Sequence, residues 1–249
     1  MTHTRIKLLR YTVLSAGLLG MTLRALLYAT AIDQKGLLIA NHWATWTILV
    51  LTGLVLGTLL LMTRKTQDSA DYSDLFPASF LQAIASIAAA AAIAVRSWML
   101  YPIAGDTLEL AAALSGFAAG IGLLLVGICR LVGKQPNFLF HSTLSIFFAL
   151  QMVSQYRSWS ADPQLMDYGF YLAALICLML TAYFLAAIDT QMGTPSGALF
   201  FSMAAGFFCC LALPESREAL LLIACALWAF TCTPRMQFKP RQQASTTDE

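Results

Sequence analysis

Apolar residues in this chain come in long, nearly unbroken runs separated by short polar stretches, and not in the alternation of a half-buried strand or the one-sided spacing of a surface helix. A run of about 20 apolar residues matches a hydrocarbon core of ~30 Å at ~1.5 Å of rise per residue. Each such run therefore predicts a membrane-spanning helix. The runs fall near residues 8–30, 42–63, 78–101, 107–129, 136–155, 164–188, 195–213 and 214–232, the last two being the shortest. The expected fold class is an all-α integral membrane protein, a bundle of about eight transmembrane helices over residues 1–232. Residues 233–249 are expected to form a disordered cytoplasmic tail.

Proline checks these boundaries independently, because it costs a hydrogen bond inside a helix and suits the first turn. Pro77, Pro136 and Pro195 stand where spans three, five and seven open, and Pro102, Pro163 and Pro214 fall in the connections at the other ends. The spacing is also periodic. These three opening prolines recur every 59 residues, and Arg96-Ser97-Trp98 returns as Arg157-Ser158-Trp159. A repeated helical hairpin is therefore expected, with proline at its start, arginine near the far end of the first helix and an acidic turn nine or ten residues later.

Basic residues set the orientation. Arg5, Lys7, Arg10, Arg64, Lys65, Arg130, Lys134, Arg235, Lys239 and Arg241 fall on one side of the predicted bundle, ten of the 15 Lys and Arg. That side is expected to face the cytoplasm, so both termini lie inside and the protein resides in the plasma membrane. Arg24 interrupts the first run before the small-residue triplet Ala29-Thr30-Ala31, so this run is expected to remain as a span and not to be removed as a signal peptide. Trp43, Trp46, Trp98 and Trp159 map to the outer boundary, where amphipathic rings favour the headgroup level.

Composition narrows the function. The chain is 59% hydrophobic and only 11% charged, which excludes an ordinary soluble domain. A net charge of +2 without a basic stripe excludes a nucleic-acid surface. The expected partners are the lipid bilayer, a small polar or anionic solute, and a membrane protein. No cofactor or metal is expected, since His3, His42 and His141 fall at separate places and no CxxC or HExxH occurs. The six cysteines lie in or at the ends of apolar runs and read as packing residues. Gly53 with Gly57, and Gly116 with Gly120, form GxxxG patterns that suit close helix approach.

The candidate chemistry gathers at the outer ends of the helices. Arg24, Arg96 and Arg157 offer forked donors to a carboxylate or phosphate, and Asp33, Asp106 and Asp167 follow them in the outer turns. These six are the candidate ligand-binding residues. The three arginines are expected to converge with the carboxylates of their own hairpins, because a charge several residues inside a span is relieved by pairing. Asp106 with Glu109 also reads as a capping box. The leading expectation is a small-solute permease or membrane-embedded binding component with an outward-facing polar mouth. The alternative is a non-catalytic accessory or assembly subunit. An outer-face enzyme using Asp33, His42 or Asp167 lacks both a nucleophile and a metal set, so no catalytic residue is assigned. No span carries an acid, a histidine or a basic residue at its middle, which argues against ion coupling through a central site.

Overall fold

The computed structural model describes residues 2–31, 42–64, 76, 79–159, 168–214, 216 and 218–234, for residues 2–7 and 158 the backbone alone. Among them every regular element is helical: α1 (Thr2–Thr30), α2 (Trp43–Thr63), α3 (Phe80–Leu100), α4 (Thr107–Val132), α5 (Phe138–Trp159), α6 (Gly169–Asp189), α7 (Pro195–Ala212) and α8 (Ala219–Thr231), with a single 3-10 turn at Tyr101–Ile103. Seven of these, α1 to α7, are long and apolar enough to cross a membrane. The eighth departs from expectation. At 13 residues α8 extends only ~20 Å, short of a ~30 Å core, because the polar stretch after Pro214 delays its start to Ala219.

The helix ends follow from local chemistry. Asp106 caps α4 by accepting from the Glu109 amide at 2.9 Å. The Glu109 carboxylate reaches back to the amide of Gly105 at 2.7 Å, one residue before the partner that a reciprocal capping box would use. Gly133 ends α4 at φ 71, a left-handed conformation that other residues adopt at a cost, and the Lys134 amide returns to the Cys129 carbonyl at 2.9 Å. Pro195 opens α7 at its first position. Asn137 caps α5 through its side chain, just after Pro136. Pro77 lies outside the described residues.

Helices α3 to α8 form a closed ring in which each packs on the next and α8 returns to α3. The hairpins α3–α4, α5–α6 and α7–α8 therefore surround one interior. Helices α1 and α2 pack on the outside of α7, which leaves α7 the most enclosed helix. Close approach within the ring depends on glycine at α4. A Cβ on Gly116 would stand 2.0 Å from Ser97 Oγ and 2.9 Å from the Phe147 ring. On α2, by contrast, a Cβ on Gly53 or Gly57 would meet nothing within 4 Å. Among the described residues, only the α4 pattern is thus used for packing.

Candidate functional site

Three ring helices carry polar side chains at both ends of one face, and α8 carries one at its start. In α3, Gln82 and Arg96 bracket Ala85, Ala89 and Ile93. In α5, His141 and the Gln151–Gln155 pair bracket Leu144 and Phe148. In α6, Tyr171 and Asp189 bracket Leu175, Leu178, Ala182 and Leu185. In α8, Glu218 and Cys232 bracket Leu222, Cys225 and Ala229. Steps of three and four residues keep each set on one helical stripe. The stripes meet inside the ring as two polar clusters separated by an apolar middle.

The first cluster is centred on the Glu218 carboxylate. Arg96 approaches its Oε1 through both Nε and Nη2 at 2.6 Å. Tyr171 donates its hydroxyl to Oε2 at 2.6 Å. Gln155 donates to Oε1 at 3.3 Å, and the Gln151 amide lies 3.4 and 3.5 Å from the two oxygens. Because α5 and α8 are not neighbours in the ring, the glutamine contacts cross its interior. Trp159 stacks on Tyr168 at 4.1 Å and meets the edge of Tyr171 at 5.3 Å, forming an aromatic wall beside the cluster.

The depth of Glu218 follows from the length of α8. Cys232, the C-terminal cap of α8, accepts a contact from Gln82 near the start of α3 at 3.6 Å, so these two helices are level at that end. Thirteen residues of α8 then bring Glu218 only as far as Arg96, one turn inside the end of α3. The carboxylate is consequently held within the bundle and is not presented beyond it.

The second cluster lies at the opposite end. His141 Nδ1 and Asp189 Oδ2 are 2.5 Å apart, and both side chains are almost wholly buried. Gln135 donates to the Asp189 carbonyl at 2.6 Å. His141 Nε2 has no hydrogen-bond partner among the described residues. Arg130, buried in the last turn of α4, holds its guanidinium over the Phe76 ring at 4.2 Å. Arg10 donates to the Thr233 carbonyl at 3.0 Å and ties α1 to the end of α8.

Neither a family model, a curated protein nor a solved structure matches this chain.

The residues singled out in the sequence are distributed among different partners. Arg24 is buried, donates to the Leu211 carbonyl at 3.3 Å and to the Tyr28 hydroxyl at 3.3 Å, and lies over Phe170 at 4.6 Å. Leu211 is in the last turn of α7, where carbonyls lack helical partners, so Arg24 caps that helix and complements its dipole. Arg157 pairs with Asp106 at 2.6 Å on the bundle surface, with side chains 66% and 35% exposed. The expected pairing of Arg96 with the acid of its own hairpin is corrected. The start of α4 faces the end of α5, so Asp106 goes to Arg157, while α3 flanks α8 and Arg96 goes to Glu218. Asp33 and Asp167 lie outside the described residues.

Sequence reading missed Glu218, Tyr171, Gln155 and Asp189 as members of any site. The signal available was periodic. Gln151 and Gln155 lie four apart on the face that also carries His141, and Glu218 stands one residue before a run too short to span.

Proposed function

We propose that this protein is a small-solute permease or solute-binding membrane component whose pathway runs through the α3–α8 ring. The observation that carries the reading is the paired arrangement of polar clusters: α3, α5 and α6 each bring polar groups to both ends of one stripe and apolar groups to its middle, and Glu218 joins them at one end from the start of α8. Charged groups buried between membrane helices are costly and are retained where they line a path or bind a ligand. In this reading the Glu218 and His141–Asp189 clusters are the two closed ends of the path, and the apolar middle keeps it dry between events. All eight helices cross the plasma membrane, α8 with the help of its flanking turns, and both termini face the cytoplasm with the Glu218 end outward.

A native probe sits in the middle of the α8 stripe. Cys225 is fully buried, so a water-soluble methanethiosulfonate reagent modifies it only if water enters the ring. In proteoliposomes, mass spectrometry should find Cys225 modified slowly in the unaltered chain and severalfold faster in Glu218→Gln, where the outer cluster is weakened. A Cys225 inert in both proteins, with the fold of the variant intact, would sink the permease reading.

A second reading, an accessory subunit, is favoured by the surface of α2. Gly53 and Gly57 leave a bare strip there, of the kind that lets a partner helix approach, and the groove between α3 and α8 is lined by apolar residues such as Ala91, Val95, Leu220 and Ile223. An inert Cys225 is the outcome that this reading expects.

A further inference from the structure

We propose that the Glu218 cluster is a carboxylate receptor, and that Glu218 is its resident internal ligand, displaced when the carboxylate of a small solute enters. The inference rests on the permease reading and names the chemical class of its solute.

Among the described residues, the side chains that meet the Glu218 carboxylate present donors: a guanidinium, a phenol and two primary amides. Arg96 and Tyr171 hold it at 2.6 Å, whereas the two glutamines stand at 3.3 to 3.5 Å, beyond the usual ~2.9 Å of an N–H···O bond. The carboxylate is thus held closely by Arg96 and Tyr171 and at longer range by the two glutamines. A donor set of this kind recognises carboxylates in general. Nothing in it requires that the carboxylate belong to this chain.

The position of Glu218 in the chain makes exchange inexpensive. It immediately precedes α8, its amide is held by Ser216 Oγ at 2.9 Å, and its carbonyl starts the helix through the Leu222 amide at 3.1 Å. Withdrawing it disturbs one end of a short helix and leaves the ring packing in place. Arg96 stays neutralised in the exchange, because a solute carboxylate takes the place of Glu218, whose own carboxylate turns to water at the end of the ring. A cation or a neutral solute cannot compensate Arg96, so it leaves the internal pair closed. The stacked Trp159 and Tyr168, with Tyr171 edge-on, give the apolar part of such a solute a surface to lie against.

The test is chemical rescue. Purified Glu218→Ala should unfold at a lower temperature than the unaltered chain. Sodium acetate should restore about half of the loss in a saturable manner, as expected for a ligand that binds the folded state, and sodium chloride at equal ionic strength should not. In the double variant Arg96→Gln with Glu218→Ala the acetate response should vanish. Glu218→Gln, which keeps the side-chain volume, serves if the alanine variant does not fold. In the unaltered chain, acetate should raise the rate of Cys225 modification severalfold over chloride. Equal responses to acetate and chloride in either Glu218 variant would overturn the receptor. That result with a reactive Cys225 leaves the permease reading standing, whereas acetate rescue with an inert Cys225 removes permeation and keeps the binding site.

Discussion

Arg96→Ala should lower unfolding free energy in detergent micelles by about 3 kcal/mol, while Arg157→Ala should lower it by less than ~1 kcal/mol. Both arginines belong to the same repeated Arg-Ser-Trp triplet and both meet a carboxylate at 2.6 Å. Distance therefore does not separate them. Exposure does: the Arg96–Glu218 side chains are 20% and 11% exposed, against 66% and 35% for Arg157–Asp106. At the surface, water and ions screen the pair and solvate whichever charge is left behind. Inside the ring, loss of Arg96 leaves Glu218 with neutral donors only among the described residues, and most of the cost is that uncompensated charge. The double variant Arg96→Ala with Glu218→Ala should consequently be more stable than Arg96→Ala alone. Chemical unfolding followed by tryptophan fluorescence measures all three differences. Equal losses for Arg96→Ala and Arg157→Ala would mean that the two pairs share one environment, contrary to the exposure difference.

The sequence made the helices legible because each was marked by more than one signal. Apolar run length agrees with the Asp106 cap at α4 and with an opening proline at α5 and α7, and these three helices begin within about two residues of the expected positions, whereas α1, α6 and α8 begin five or six residues from theirs. The end of the chain was less legible. A run over 214–232 was expected to span, yet the polar stretch after Pro214 delays α8 to Ala219, and the short helix leaves Glu218 level with Arg96, Tyr171 and the glutamines. Hydropathy averages over that substitution of a tertiary contact for a headgroup contact. The candidate site was legible by residue type and not by pairing. Arg96 was recognised as needing a partner, but the choice of Glu218 over Asp106 depends on α8 closing the ring against α3, which no spacing within one hairpin encodes. Arg24 illustrates the same limit: its depth signalled a buried partner, and the partner is a backbone carbonyl, which leaves no mark in sequence.

Asp189→Ala should cost about 3 kcal/mol, and the response of position 141 should reveal which ring nitrogen of the histidine does the structural work. Asp189 and His141 are buried together at the end of the ring opposite Glu218, and neither side chain reaches bulk water. With Nδ1 facing the carboxylate and Nε2 without a partner among the described residues, the bond between α5 and α6 runs through Nδ1 alone. Asparagine offers its amide nitrogen at nearly the position of Nδ1, whereas the nitrogen of glutamine falls near Nε2. His141→Asn should therefore keep a donor on Asp189 and lose ~1 kcal/mol, chiefly from the smaller volume. His141→Gln should leave the carboxylate without its donor and lose about 3 kcal/mol, like Asp189→Ala. His141→Leu combined with Asp189→Leu removes both polar groups from an otherwise apolar contact and should recover most of that loss. Denaturant unfolding of the purified variants reads each difference. If His141→Gln equals the unaltered chain while His141→Asn fails, the bond runs through the other nitrogen and the pairing of α5 with α6 at this end must be redrawn.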